Sequence, residues 1–223
     1  MFEKSLDLFR QLGDLYHIAI ILLHLGWKSR DQGDFQKARL CYIQRLMIDE
    51  ELKFREGIAE TLLHMGELSI HEGDYDHAEQ FLQNSLLVSR EYGLKLDESF
   101  AYHQLGILAL HRKDYRLAAR YFNDDYRLSH GTSEKMTSFE LLYGLAAVSA
   151  GMNEPERAAR LYGATQTIFK KSPDMPLDRA EFEKHIQIAR EQLGDTRFET
   201  LVFEGGAMSM EQAIAYAVES SDE

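Results

Sequence analysis

Of 223 residues only one, Cys41, is a cysteine, so no internal disulfide can form and a metal centre built on several thiolates is excluded. Clustered positive charge is missing too. Lys and Arg number 25 against 37 Asp and Glu, the formal net charge is −12, and the pI is near 5.2. Phosphate contacts need grouped Lys and Arg, so nucleic-acid binding by this region is not expected, and no patch for an anionic membrane is present. No apolar run approaches the roughly 20 residues that a membrane span requires. The opening Met1-Phe2-Glu3-Lys4-Ser5-Leu6 lacks the basic-then-apolar layout of a signal peptide. A reducing, cytoplasmic setting is expected. No Gly-rich phosphate loop, His-Glu-x-x-His or Gly-x-Ser-x-Gly occurs, which removes the common sequence marks of an enzyme.

What is present is an internal repeat of 40 residues. Gly26, Gly66 and Gly106 recur, with Ala146 in the next place. Asp34, Asp74 and Asp114 recur, followed by Glu154. Phe35, Tyr75 and Tyr115 are succeeded by Pro155, and Ala38, Ala78, Ala118 and Ala158 complete the set. Each column has a physical reason. A small residue midway along a first helix admits a close neighbour, and the recurrent Ala of the second helix is expected to meet it there. The Asp before the second helix is an N-cap whose carboxylate accepts from exposed backbone N–H groups. Pro155 falls where a first helical turn begins, where proline is tolerated because no N–H is needed. Short Gly-bearing turns such as Asp31-Gln32-Gly33-Asp34 suit antiparallel helices.

Apolar spacing around these anchors is helical. Leu22, Leu25, Gly26 and Ser29 share one face, and Ala38, Cys41, Tyr42, Arg45 and Leu46 another. First helices are expected near 15–31, 55–71, 97–112 and 136–151, and second helices near 35–52, 75–92, 115–130 and 155–171. Residues 2–12 read as the end of a second helix, which suggests a piece of a longer protein. After Lys171 the repeat breaks at a proline-bearing linker, Ser172-Pro173-Asp174-Met175-Pro176. A helix over 177–193 follows, with Ala180, Ile186, Ala189 and Leu193 inward. A short helix near 196–204 comes next, and Ser209 then caps a last helix over 210–219. Residues 173–223 hold twelve Asp or Glu against four Lys or Arg, as suits a polar terminal cap.

The pattern Leu62, Met65, Gly66, Ala78 and Leu82 resembles the tetratricopeptide repeat signature. Leu22, Leu25, Gly26, Ala38 and Tyr42 match it again, as do Tyr102, Leu105, Gly106, Ala118 and Phe122. The resemblance implies an all-α fold: a right-handed superhelical array of antiparallel helix pairs with C-terminal capping helices. The repeats would occupy 1–172, a partial one over 1–13 and four starting near 15, 55, 96 and 136, with the cap over 173–223. Where the family has a small residue late in the second helix, Arg45 and Asp125 stand in two copies. A second likeness involves Glu156-Arg157-Ala158-Ala159-Arg160-Leu161-Tyr162-Gly163-Ala164, Phe198, Glu204-Gly205 and Met210-Glu211-Gln212-Ala213-Ile214. It resembles the C-terminal arm of large bacterial LuxR-type regulators of the signal-transduction ATPase class, where the arm is a sensor and oligomerisation surface.

Candidate chemistry is sparse. His71-Glu72-Gly73-Asp74-Tyr75-Asp76-His77 is the nearest approach to a metal cluster, yet these residues occupy an interhelical turn, where polar groups cap and face water. His24 with His64, and His71 with His111, are repeat columns too far apart to share one ion. Glu50-Glu51 and Asp124-Asp125 read as solvated surface, since adjacent helical residues do not share a face. The better candidate is the concave side that tetratricopeptide first helices line. Transferred by family position, it comprises Ile20, Leu23, Trp27, Glu60, Leu63, Glu67, Phe100, His103, Ile107, His111 and Tyr143. Trp27 fits groove or core equally well. The Lys and Asn set with which chaperone-binding relatives grip a terminal carboxylate is absent. The expectation is a non-catalytic protein–protein interaction scaffold, the sensor arm of a bacterial regulatory protein, binding a protein or peptide partner or other domains of its own parent, with no cofactor. Alternatives are a receptor groove for a short peptide or small effector and, remotely, a metal-dependent hydrolase on His71–His77.

Overall fold

A computed structural model describes residues 2–129, 135–169 and 179–218. Among these residues there are twelve α-helices and no strand. They are α1 (Phe2–Leu12), α2 (Leu15–Asp31), α3 (Phe35–Glu51), α4 (Arg55–Glu72), α5 (Tyr75–Tyr92), α6 (Lys95–His111), α7 (Tyr115–Ser129), α8 (Lys135–Gly151), α9 (Pro155–Phe169), α10 (Arg179–Leu193), α11 (Asp195–Gly206) and α12 (Met210–Val218). The all-helical repeat array expected from the columns is what forms. The linker expected at 172–176, the start of the helix after it and the side chain of Ala180 lie outside the described residues.

Local signals explain the element ends. Asp14, Asp34 and Asp74 each accept from the backbone N–H three residues on, at 3.2, 3.1 and 3.4 Å, and Asp114 does so from Leu117 at 3.0 Å. Gly33 and Gly73 take φ of 77° and 75° after first helices, and the same column holds Lys113 at 60° and Asn153 at 65°. At the far end Ser209 and Gln212 bond reciprocally, Ser209 Oγ accepting from the Gln212 N–H and Gln212 Oε1 from the Ser209 N–H. That is a capping box at the start of α12. α6 begins at Lys95, earlier than the apolar spacing indicated, because the Leu94 carbonyl already accepts from Glu98 at 2.9 Å.

Met1–Gln104 and Leu105–Glu223 are two compact units, divided within α6. In the first, α1 packs on α2, α2 pairs with α3, α4 pairs with α5, and α3 contacts α4. In the second, α7 packs on α8, α8 pairs with α9, α10 lies on both α8 and α9, and α11 packs on α9.

The column of small residues works differently from the sequence expectation. A Cβ on Gly66 would sit 2.6 Å from the Leu82 side chain, whereas the Ala78 carbonyl is 3.4 Å away. Gly26 and Gly106 are covered in the same manner by the rings of Tyr42 and Phe122. The large residue four positions beyond the recurrent Ala therefore fills the notch, and Ala38, Ala78, Ala118 and Ala158 are wholly buried beside it. A tighter version appears where α9 crosses α11. A Cβ on Gly205 would overlap the Arg160 carbonyl, and one on Gly163 the Val202 carbonyl. Burial also corrects one expectation. Asp125 is 3% exposed, not solvated, and shares its column with buried Arg45 and Ser85.

Gly66→Ala meets a side chain that can rotate, so a loss of roughly 1–3 kcal/mol is expected. Gly205→Ala meets main chain, which cannot, and should be the more damaging in urea unfolding. Equal losses from the two would contradict the packing described.

Candidate binding groove

Three successive first helices of the first unit share repeat phase, so equivalent positions fall on one side. Along that side runs a cavity of about 630 Å³. α2 contributes Tyr16, Ala19, Ile20, Leu23 and Trp27. α4 contributes Glu56, Glu60, Leu63, His64 and Glu67, and α6 contributes Leu96, Asp97, Phe100 and Gln104. Phe54 joins from the turn before α4, and Arg45 and Asp49 reach the lining from α3. The walls are largely aromatic and aliphatic, with charged groups among them.

Two ionic clusters are built into those walls. Arg30 pairs with Glu67, each with only 8% of its side chain exposed, and Glu67 also meets His64 Nδ1 at 3.1 Å. Burial pulls the Glu67 carboxyl up, but the His64 hydrogen bond and the His64 and Arg30 charges outweigh it and hold the group below the usual carboxylate range. In the second cluster Arg45 lies 3.1 Å from Asp49 and 2.5 Å from Glu60, while Thr61 Oγ1 donates to Asp49 at 3.2 Å. Burial raises the Asp49 carboxyl despite Arg45. Beside this cluster Asp97 is pushed up to about 6, first by burial and then by the negative fields of Glu60 and Glu56. Trp27 stands edge-on to two imidazoles, with centroids 5.2 Å from His24 and 5.2 Å from His64. It is half-buried against Leu23, Met65 and Leu68, so one residue serves both core and groove.

Seven of the eleven residues named from sequence line this one cavity: Ile20, Leu23, Trp27, Glu60, Leu63, Glu67 and Phe100. His103 is buried, at 6% exposure, and is not among its lining. The other three belong to the second unit. Ile107 is wholly buried there, and Tyr143, 2% exposed, donates its hydroxyl to Glu183 of α10 at 2.7 Å. His111 Nδ1 is 3.8 Å from Glu181, again on α10. In that unit α10 therefore lies over the face to which Tyr143 and His111 belong.

Sequence reasoning missed Tyr16, Glu56 and Leu96, although they form a 40-residue column one helical turn before Ile20, Glu60 and Phe100. It also missed Arg45, Asp49 and Asp97. Arg45 carried a readable signal, since a long charged residue stood where the repeat has a small one.

The turn His71–His77 is accounted for by its contacts. His71 stacks on Phe35, Glu72 pairs with Arg39, and Asp74 holds His77 Nδ1 at 2.7 Å while capping α5. Among the described residues no group of three or more His, Cys, Asp and Glu is placed to hold a metal ion, and no helix is long and apolar enough to cross a membrane.

Comparison with known proteins agrees with the repeat. The tetratricopeptide repeat family model matches residues 57–128. A search of the curated proteins finds no match. The family match and the helix-pair repeat together support a tetratricopeptide repeat protein, a class that generally mediates protein–protein interaction and is typically a non-catalytic scaffold.

Glu67 and Asp97 carry opposite pH signatures. Glu67, held low in the folded state, contributes stability above the ordinary carboxylate range, and that stability is lost as pH falls through its folded value. Glu67→Gln, which leaves the buried Arg30 with Asp31 as its remaining ion-pair partner, is expected to cost roughly 2–3 kcal/mol at neutral pH. Asp97, raised from 3.8 to about 6, carries a penalty that is absent below the lower value, grows between the two, and is complete above the higher. Discounted for partial exposure, Asp97→Asn should raise stability by about 1 kcal/mol at pH 7.5 and by nothing near pH 4. Urea unfolding at both values checks this; a gain independent of pH would contradict it.

Proposed function

We propose that this chain is a non-catalytic interaction module that takes a segment of a protein partner in the groove of its first unit. One observation carries the reading: residues from three successive first helices, placed on one side by family position, line a single cavity of about 630 Å³. Its exposed aromatic and aliphatic side chains, Tyr16, Leu96 and Phe100 among them, are of the kind that anchors interfaces. The groove sits on rigid helices, so little ordering of the receptor opposes binding.

The module's place as the sensor arm of a bacterial regulatory protein is the finer part of the proposal. It is supported by the C-terminal pattern, whose Gly163 and Gly205 are the residues that let α9 and α11 cross at main-chain contact. Its test is whether the genomic reading frame upstream of Met1 continues into an NTPase or DNA-binding module. A short peptide or small effector is a second reading, favoured by a cavity volume within the span of ligand pockets.

The groove is tested with the full chain on arrays of random 15-residue peptides. Phe100→Ala and Leu96→Ala alter side chains that are 38% and 54% exposed, and so should leave thermal unfolding unchanged. Retained peptides should lose at least tenfold in affinity with the pair of substitutions, about 1.4 kcal/mol or more. Binding that ignores both substitutions would place the interaction elsewhere on the molecule.

A further inference from the structure

We infer that the segment taken by this groove is cationic, with an Arg or Lys side chain held among Glu56, Glu60 and Asp97 and an apolar neighbour on Tyr16, Leu96 and Phe100. The inference rests on the groove reading above and adds the chemistry of the occupant.

The first argument is the charge balance. Five carboxylates line the cavity, namely Asp49, Glu56, Glu60, Glu67 and Asp97, against the guanidinium of Arg45 and the imidazole of His64. Glu67 is matched by Arg30 from behind the wall, and Asp49 and Glu60 share Arg45. Among the described residues no Lys, Arg or His forms an ion pair with Glu56 or Asp97. These two face the cavity without an ion-pair partner, and the field of His64 only partly offsets the negative charge around Asp97. The Asp97 carboxyl is raised first by burial and then by the same repulsion, from Glu60 and Glu56. A protein keeps mutually repelling carboxylates in a concave site at a cost in stability, and an incoming cation removes that cost.

The second argument separates a polypeptide from a small polycation. A polypeptide can set a large apolar side chain beside its cation, which a polyamine cannot. Aromatic and aliphatic wall flanks the acids on both sides, Tyr16 and Phe54 near α2, Leu96 and Phe100 on α6. A basic residue beside a large apolar one satisfies acid and wall together. An acidic segment would bring like charge against Glu56 and Asp97, which discriminates against it.

The test uses the full chain and three immobilised peptide libraries of equal length and equal apolar content. One has Arg and Lys at its variable polar positions, one Asp and Glu, and one citrulline and Gln. The cationic library should be retained at least tenfold more than the neutral one and the acidic library not at all. Its retention should fall with added salt. Glu56→Gln with Asp97→Asn should reduce the cationic preference at least fivefold while the thermal midpoint holds or rises. Equal retention of cationic and neutral libraries, or a preference for the acidic one, overturns the charge inference and leaves the groove reading standing. Spermidine competing as strongly as the peptides also overturns it, in favour of a small-cation site. If no library is retained at all, the groove reading itself fails, and the two failures are thereby distinguished.

Discussion

Helices in this chain approach one another at notches where a Cβ is missing, and most of the remaining architecture follows from that. At Gly26, Gly66 and Gly106 the notch is filled by Tyr42, Leu82 and Phe122, so each helix pair locks at the same height. Repeating the lock every 40 residues keeps the first helices in phase. In-phase helices present equivalent positions to one side, and in the first unit those positions line a groove. Groove and packing register are thus two consequences of one column. The α9–α11 crossing applies the constraint most severely, since there the notch receives main chain, which has no rotamer to yield.

Against that apolar frame the first unit carries an unusual load of buried charge. Arg30 with Glu67, and Arg45 with Asp49 and Glu60, occupy walls that could have been filled by aliphatic residues. Buried pairs of this kind seldom add net stability over well-packed apolar replacements, although breaking one is expensive. Asp97 goes further, being held against burial and two like charges. Locally unfavourable electrostatics concentrated on one concave surface are a mark of a site shaped for something other than stability. In the second unit Tyr143 and His111 meet Glu183 and Glu181 of α10, so that face is already occupied by the chain's own helix.

Much of this was legible in the residues themselves, for local reasons. Helix starts followed from Asp34, Asp74 and Asp114, because a cap is an interaction spanning three residues. The turn at His71–His77, which looks like a cluster of metal ligands when read in isolation, was correctly assigned to capping by its repeat position. Seven of the lining residues could be named once family position was transferred, because the 40-residue repeat keeps the first helices in phase. The column Tyr16, Glu56 and Leu96 could have been named on the same logic, one helical turn earlier.

The sequence by itself therefore determined the helices and their pairing, since both depend on spacings within 40 residues, while the side of the first helices expected to line a groove came from the family resemblance. The tertiary structure alone decided three further things. It placed Arg45 in the groove wall, because only packing reveals that a long side chain at a small-residue position runs inward. It set Asp97 against Glu56 and Glu60, an electrostatic contact between helices some 40 residues apart. It also laid α10 over Tyr143, since no periodicity links a capping helix to the face it covers. Backbone preference and repeat phase are local and can be read along the chain. Burial and electric field are properties of proximity, and proximity exists only once the chain has folded.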